Sequence, residues 1–308
     1  MRHWRGWSWG LVVASLLAWP GVGLSAELLR ATVQRPGLPT VVADTEFWAD
    51  LSQAQVVYLG ETHGSEADHQ LQLAIATQLQ QQNPKIAIAL EMFQQPFQPV
   101  IDQYLAGEID EDTLRQQTEY DQRWGFPWES YAPILRLARD RNLPVIALNL
   151  PSEVSRQVAA KGLQSLRPDQ RQWIPPLDEI HLDDTDPINQ AYRQLLLTFY
   201  KDFHSGHGSA RGFEQFFTAQ VLWDETMAAG IADFVRHNPD HQVVVLTGQG
   251  HVAYGYGIPS RVARRIDTPD FQQRLVLLNP NTEFLGEDAV QESAIADYTL
   301  HTRPSTEP

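Results

Sequence analysis

The chain contains no cysteine. That absence removes disulfides, thiolate nucleophiles, thiolate metal sites and the residue a bacterial lipid anchor needs. Positive charge is also scarce: Lys and Arg total 23 against 38 Asp and Glu, a formal charge of -15 over 308 residues. Nucleic acids and anionic membrane surfaces reward basic patches, so neither is an expected partner. Three catalytic signatures are missing as well. The sequence has no G-x-S-x-G elbow, no G-x-G-x-x-G fingerprint and no phosphate loop, which argues against serine hydrolases and nucleotide enzymes.

Long apolar runs are absent too. The longest near the start, LVVASLLAW at 11–19, is well short of the roughly 20 residues of a spanning helix. Arg2, His3 and Arg5 precede it, and Pro20, Gly21, Gly23 and Leu24-Ser25-Ala26 follow. Residues 1–26 therefore read as a cleaved secretory signal, and the mature chain as exported, periplasmic or extracellular, with no stable membrane anchor. With 43% hydrophobic residues, the remainder has enough apolar material for a large core without disulfides.

What is present is a set of apolar runs of strand length: VVYLG (56–60), IAIALEM (86–92), PVIALNL (144–150), VVVLTG (243–248) and RLVLLN (274–279). None alternates with polar residues, the pattern of parallel strands covered on both faces. Helical segments lie between them. Ser65 with Asp68 reads as a capping box opening a helix whose Leu71, Ala74, Ile75 and Leu79 share a face, stopped by Asn83-Pro84. Tyr131–Arg141 and Glu153–Gly162 read as helices. The expectation is a single α/β domain over 27–283, with a central mainly parallel sheet flanked by helices. Residues 163–210 break the alternation and read as a helical insertion over one sheet edge. Within it, Asp186 caps a helix that begins at Pro187 rather than serving a calcium loop. Residues 284–308 read as a loose polar tail.

In parallel α/β sheets, sites form at the carboxyl ends of strands. Here those ends carry Gly60, Glu61 and His63, then Glu91, then Asn149, then Gly248 and His251. A lone Glu or His after a strand is ordinarily a helix cap or a solvated turn. Glu91 resists that reading, because it closes an otherwise apolar run and ionised carboxylates are rarely buried alone. Glu61, His63, Glu91 and His251 together suit a divalent ion such as manganese, zinc or iron, or an acid and base pair formed by the two glutamates. In the helix after 211, Phe213, Phe217, Gln220, Asp224, Met227 and Ile231 fall on one stripe. Gln220 and Asp224 thus turn inward, where orienting a histidine competes with bonding a buried backbone group. Trp124, Phe126, Trp128 and Tyr131 suggest either a pocket for a flat ligand or core packing. Tyr254 and Tyr256 follow His251 as iron-ligand candidates or turn caps, and His204 and His207 flank a glycine in the insertion.

These segments carry a resemblance. LGETH, ALEMF, the W-x-x-Y of Trp128 and Tyr131, VIALN, AQ-x-x-x-D-x-x-MA (Ala219, Gln220, Asp224, Met227, Ala228) and TGQGHVAYGYGIP together resemble the ChaN-like haem-binding proteins. Those proteins belong with the wider Tiki/TraB and erythromycin-esterase-like superfamily. The likeness runs in order over about residues 40–283. It implies an α/β fold with a mainly parallel sheet, and haem binding in the service of iron uptake, in some members as paired haems at a homodimer interface. It makes His207, His251, Tyr254 and Tyr256 candidate haem-binding residues. Asn149, Gln220 and Asp224 become supports around them. The wider superfamily also implies metal-dependent peptidases with paired Gly-x-x-His motifs and a strand-end glutamate, matched here by Gly60 to His63, Gly248 to His251 and Glu91. Two features depart from the pattern. No cysteine is available for lipidation, and where the family often reads Gly-His-Cys-Gly this chain reads Gly206-His207-Gly208.

Two functions follow as expectations. One is an exported haem-binding protein, with a histidine or tyrosine on the iron and aromatic residues around the porphyrin. The alternative is a metal-dependent hydrolase with Glu61 and Glu91 as catalytic residues. The first needs a flat apolar slot, and the second needs four groups converging on one point.

Overall fold

Aliphatic runs without polar alternation are stable only where a sheet is covered on both faces, and all five expected strands are found there. The computed structural model describes residues 31–36, 41–183, 185–203, 210–280 and 294–302, without the side chains of 202, 203, 210 and 211. In chain order the elements are β1 (Ala31–Gln34), α1 (Asp44–Gln53), β2 (Val56–Glu61), α2 (Glu66–Gln82), β3 (Ile86–Gln94), α3 (Gln98–Leu105), α4 (Glu111–Gln117), α5 (Tyr120–Arg123), α6 (Trp128–Arg141), β4 (Val145–Asn149), α7 (Ser152–Lys161), α8 (Pro168–Arg171), α9 (Pro187–Phe203), α10 (Ala210–His237), β5 (Gln242–Gly248), α11 (Ile258–Arg265), β6 (Gln273–Leu278) and β7 (Tyr298–Thr302). The expected signal segment, 1–26, and His204 and His207 lie outside the described residues.

The seven strands form one sheet in the order β1-β7-β6-β2-β5-β3-β4. Every pairing is parallel except that of β1 with β7. This is the expected α/β class. The β2–β5 register sets Glu61 opposite Gly248, so the two Gly-x-x-His turns leave the sheet side by side.

Residues 284–308 are not wholly a tail. Tyr298–Thr302 pairs with β6 and β1, which corrects that expectation. The strand has only Tyr298 and Leu300 as apolar anchors, too few to register as a run, yet both are fully buried and Tyr298 packs edge-on against Phe47 at 5.0 Å. β1 is shorter still.

The start of α2 also differs in detail. Ser65 accepts from the Asp68 N–H at 3.3 Å, but the Asp68 carboxylate does not return the bond. It accepts instead from the Thr62 N–H at 2.8 Å and from Asn279 at 2.7 Å, tying the turn after β2 to the end of β6. The box is half made, and its other half serves the tertiary fold.

Side chains alternate across a strand, and the two faces of the sheet build separate cores. Val57 and Leu59 point to the α1, α2 and α6 side, while Val56 and Tyr58 point to the α10 and α11 side. A third core joins α7, α9 and α10 beneath residues 163–203. There Asp186 accepts from the Ile188 N–H at 2.8 Å at the start of α9. Glu225 on α10, fully buried, accepts from Arg264 at 2.8 Å, from Arg265 at 2.6 Å and from the His181 N–H at 3.2 Å. A fully buried Leu, Ile or Val contributes about 1.5–3 kcal/mol. The three cores together bury dozens of them, which offsets the cost of holding a few polar groups at strand ends.

Candidate functional site

Glu61 ends β2 on the α2 and α6 face, because it alternates in step with Val57 and Leu59. Its Oε1 accepts from the Tyr131 hydroxyl at 2.6 Å and lies 2.8 Å from His63 Nδ1. Its Oε2 lies 3.2 Å from His69 Nε2. Burial pushes the carboxyl up, but the bonds from His63, His69 and Tyr131 outweigh it and hold the group below its ordinary value. Burial beside Glu61 drives the Tyr131 phenol far above its ordinary value, so this tyrosine acts as a donor. It belongs to a pocket wall less than to the glutamate.

Glu91 lies near the carboxyl end of β3 on the opposite face, in step with Ala89. Its Oε2 accepts from the Thr247 hydroxyl at 2.6 Å and from the Gly248 N–H at 2.8 Å, and its Oε1 lies 3.4 Å from His251 Nε2. Burial raises this carboxyl too, but the His251 charge and the bonds outweigh it and bring it down to about 2. For His251, burial disfavours the imidazolium, yet Glu91 and Asp224 outweigh it and lift the group to about 10. His251 Nδ1 meets Asp224 at 2.6 Å and Gln220 at 3.1 Å. Of the two readings left open for the inward Gln220 and Asp224 on α10, the contacts are with His251. Asn149 is a support as well. Its amide donates to the Glu91 carbonyl at 2.7 Å and accepts from Trp223 at 2.6 Å, and the Trp223 ring stands edge-on to His251 at 5.1 Å.

The four residues expected to hold a metal come close without converging. Glu61 and Glu91 leave the sheet on opposite faces, Glu61 toward Tyr131 and His63 and Glu91 toward Thr247 and the Gly248 N–H. Among the described residues, no three His, Asp or Glu side chains form a group able to hold a metal ion. The single-ion reading of Glu61, His63, Glu91 and His251 is therefore corrected. His63 stands at the rim between the two pairs. A Cβ on Gly248 would lie 3.0 Å from its Nε2 and 3.8 Å from Glu91 Oε2, so glycine is required for the imidazole to cross there. Burial lowers His63, but the Glu61 bond and the Glu91 charge outweigh it and leave it above its ordinary value. Trp124 and Phe126 flank its ring at 4.8 and 5.1 Å. Trp128 and Tyr131 are buried on α6 instead. Gln249 donates to Thr62 Oγ1 at 2.7 Å and links the two turns.

Beyond His251, Tyr254 has φ +58°, a left-handed conformation unusual for a ring-bearing residue. Its ring stacks on Tyr256 at 5.4 Å and 27°, and both are half-buried. Burial raises the Tyr254 phenol. Three participants were not singled out from the sequence. His69 joins Glu61, Thr247 joins Glu91, and Tyr192 from α9 donates to Asp224 at 2.6 Å. His69 had a signal, since it shares the inward stripe of Gln72, Ala76 and Leu79 on α2. Tyr192 had none, because within α9 it reads as one more apolar-stripe residue.

The family described as haem-binding uptake, Tiki superfamily, ChaN matches residues 47–262, well over half of the chain. The chain belongs to this family. Among solved structures it is similar to ChaN of Campylobacter jejuni, whose structure is described as cofacial heme binding. The identity is 18% and the TM-score 0.68, over 89% of this chain and 97% of that one. At that identity the likeness shows the fold. An erythromycin esterase in its open conformation is 14% identical, with a TM-score of 0.45, over 80% of this chain and 76% of that one. A chloroplastic protein of Arabidopsis thaliana, RETICULATA-RELATED 5, is 29% identical over 267 residues, covering 83% of this chain. The chain spans 35% of that relative's length.

The donor set discriminates between the expected haem ligands. Both ring nitrogens of His251 are committed to carboxylates, so it does not fit as an axial ligand. A phenol is a hard oxygen donor suited to ferric haem, and Tyr254 and Tyr256 set two of them on stacked, half-buried aromatic surface.

Proposed function

We propose that the protein binds haem through the Tyr254–Tyr256 face, in an exported setting, and serves haem handling or iron uptake. The observation that carries this reading is the stacked tyrosine pair, held in a strained backbone directly after the His251 turn, in a member of a haem-binding family. Strained conformations of this kind persist where the surroundings enforce them, and they cluster at functional sites. A phenolate from this pair would hold the iron, and the bound haem would supply the redox and ligand chemistry. The aromatic rings would exclude water from one porphyrin face. Family membership supports haem as the ligand, and the contacts of the buried acid–histidine pairs support a scaffold role for them. Cofacial haem binding, as described for the Campylobacter protein, would bring two copies of the chain together.

The test is a haem titration of the whole chain followed at the Soret band, with the Tyr254→Phe/Tyr256→Phe variant alongside. Saturable binding by the native protein, weakened at least tenfold in the variant, is expected. Equal binding by both removes the tyrosines as ligands and directs attention to His207. No binding by either removes the haem reading. Sedimentation with and without haem reports whether pairing accompanies binding.

The alternative, a metal-dependent hydrolase, has Glu61, His63, Glu91 and His251 hold one divalent ion, or a glutamate deprotonate its bound water. The placement of Glu61 and Glu91 on opposite faces of the sheet weighs against the four-residue site.

A further inference from the structure

The Glu61 network fixes the state of one residue that no function above uses. The Tyr131 hydroxyl has a single proton, and its 2.6 Å contact with Glu61 Oε1 takes it. His69 Nε2 lies 3.1 Å from that same hydroxyl oxygen and 3.2 Å from Glu61 Oε2. Both are then acceptors, so Nε2 must carry a hydrogen. In a neutral imidazole the other nitrogen, Nδ1, is consequently a lone-pair acceptor.

His69 Nδ1 is buried and has no hydrogen-bond partner within the protein. The nearest charged atom, Glu66 Oε2, is 4.0 Å away and, as a carboxylate, cannot donate. Two acceptors thus lie 4.0 Å apart, and neither can donate to the other. Beside them, between α2 and α6, is a cavity of about 40 Å³ lined by Glu66, His69, Glu129, Ser130 and Pro133 among others. That is room for roughly two or three waters. Pro133 adds a further reason for solvent. Lying inside α6, it lacks the N–H that would bond the Glu129 carbonyl one turn earlier. A buried acceptor left unsatisfied is destabilising, and one held water satisfies it at a modest entropic cost.

We infer that this cavity is a built water site, whose water donates one hydrogen to His69 Nδ1 and the other to Glu66, and that it forms the outer end of a proton path to Glu61. The path runs Glu66, water, His69, Tyr131, Glu61. As the water gives a proton to His69 Nδ1, His69 Nε2 passes one to the Tyr131 oxygen while that hydroxyl passes its own to Glu61. Each intermediate group gains one proton and loses one, and the water is replenished from solvent at Glu66. Glu61 could thus exchange protons with solvent on the α2–α6 side, behind the rim where His63 stands. The inference does not depend on what binds at Tyr254 and Tyr256.

A crystal structure of the full chain that resolves waters is the direct test. A water within hydrogen-bonding distance of both His69 Nδ1 and Glu66 is expected, and a dry cavity overturns the site. Ring-nitrogen NMR of ¹⁵N-histidine protein is the second arm. It should show His69 protonated at Nε2 with Nδ1 accepting, whereas protonation at Nδ1 overturns the argument. Ser130→Val, which fills the cavity, tests the path. Exchange of the His69 Nε2 proton with solvent should slow at least tenfold, and unchanged exchange in a folded variant refutes it. Should that variant unfold, the native water and tautomer still decide.

Discussion

His251 Nδ1 lies 2.6 Å from Asp224 Oδ1, with both side chains buried, and the Tyr192 hydroxyl holds the other Asp224 oxygen at the same distance. Three successive elements, α9, α10 and the turn after β5, thereby fix one imidazole. A charged hydrogen bond in such a setting is worth about 1.5–3 kcal/mol, equivalent to about one to two pKa units. Asp224→Asn keeps the shape and removes the charge. His251 should fall from about 10 by that amount, followed by the titration of its Cε1 proton in NMR. A His251 unmoved by the change would mean that Glu91 alone sustains the imidazolium.

The same pair sets how stability depends on pH. Glu91 is brought from 4.5 to about 2, so its contribution is complete above 4.5 and is lost as pH falls toward 2. His251 is lifted from 6.5 to about 10, so its contribution is complete below 6.5 and is lost as pH rises toward 10. These are two views of one interaction, and they leave a plateau between about 4.5 and 6.5. Burial raises Asp68, which works against Glu91 on the acid side and blunts that limb. Urea midpoints measured across this range should be highest on the plateau and decline toward alkali. A Glu91→Gln/His251→Gln double variant should flatten the alkaline limb, and a limb that persists assigns the decline to other groups.

The sheet was legible because five of its seven strands are continuous apolar runs, and the α10 stripe was legible because Gln220 and Asp224 interrupt an otherwise apolar face. Convergence was not. Both glutamates close apolar runs, but whether they share a face depends on strand parity relative to the helices, which spacing within each run does not reveal. Leu59 places Glu61 toward α2, and Ala89 places Glu91 toward α10. β7 escaped notice because two buried side chains in five residues make no pattern. His69 left a faint helical signal, whereas Tyr192 acts only through a tertiary contact.

Two glycines should behave unlike a third nearby. A Cβ on Gly257 would stand 2.1 Å from the His251 carbonyl oxygen, a backbone atom with nowhere to go. On Gly248 it would stand 2.9 Å from His63 Cε1, a side chain anchored by Glu61. On Gly250 it would meet nothing within 4 Å. Overpacking typically costs about 1–3 kcal/mol. Gly257→Ala should reach or exceed the top of that range in thermal or urea unfolding, Gly248→Ala should fall within it, and Gly250→Ala should sit near zero. Equal losses at all three would show that the contacts around His63 and His251 are looser than these distances require.

If a tyrosine holds the iron, haem affinity carries a pH signature whose sign follows from the phenol. A ligating oxygen must be deprotonated, so binding releases a proton whenever pH is below the phenol's own value. Burial places Tyr254 above 10, and the whole range from pH 6 to 9 is therefore on that side. Ferric haem affinity should rise about tenfold per pH unit, about 1.4 kcal/mol each, without levelling off. A histidine ligand such as His207 gives a different curve, because an imidazole with an ordinary value near 6.5 is already neutral above about pH 7.5. Affinity would then plateau there. Soret titrations at four pH values, with the Tyr254→Phe and Tyr256→Phe variants measured separately, distinguish the two. A continuous rise that only one of these variants abolishes identifies the ligand, and a plateau in the native protein rules out a phenolate.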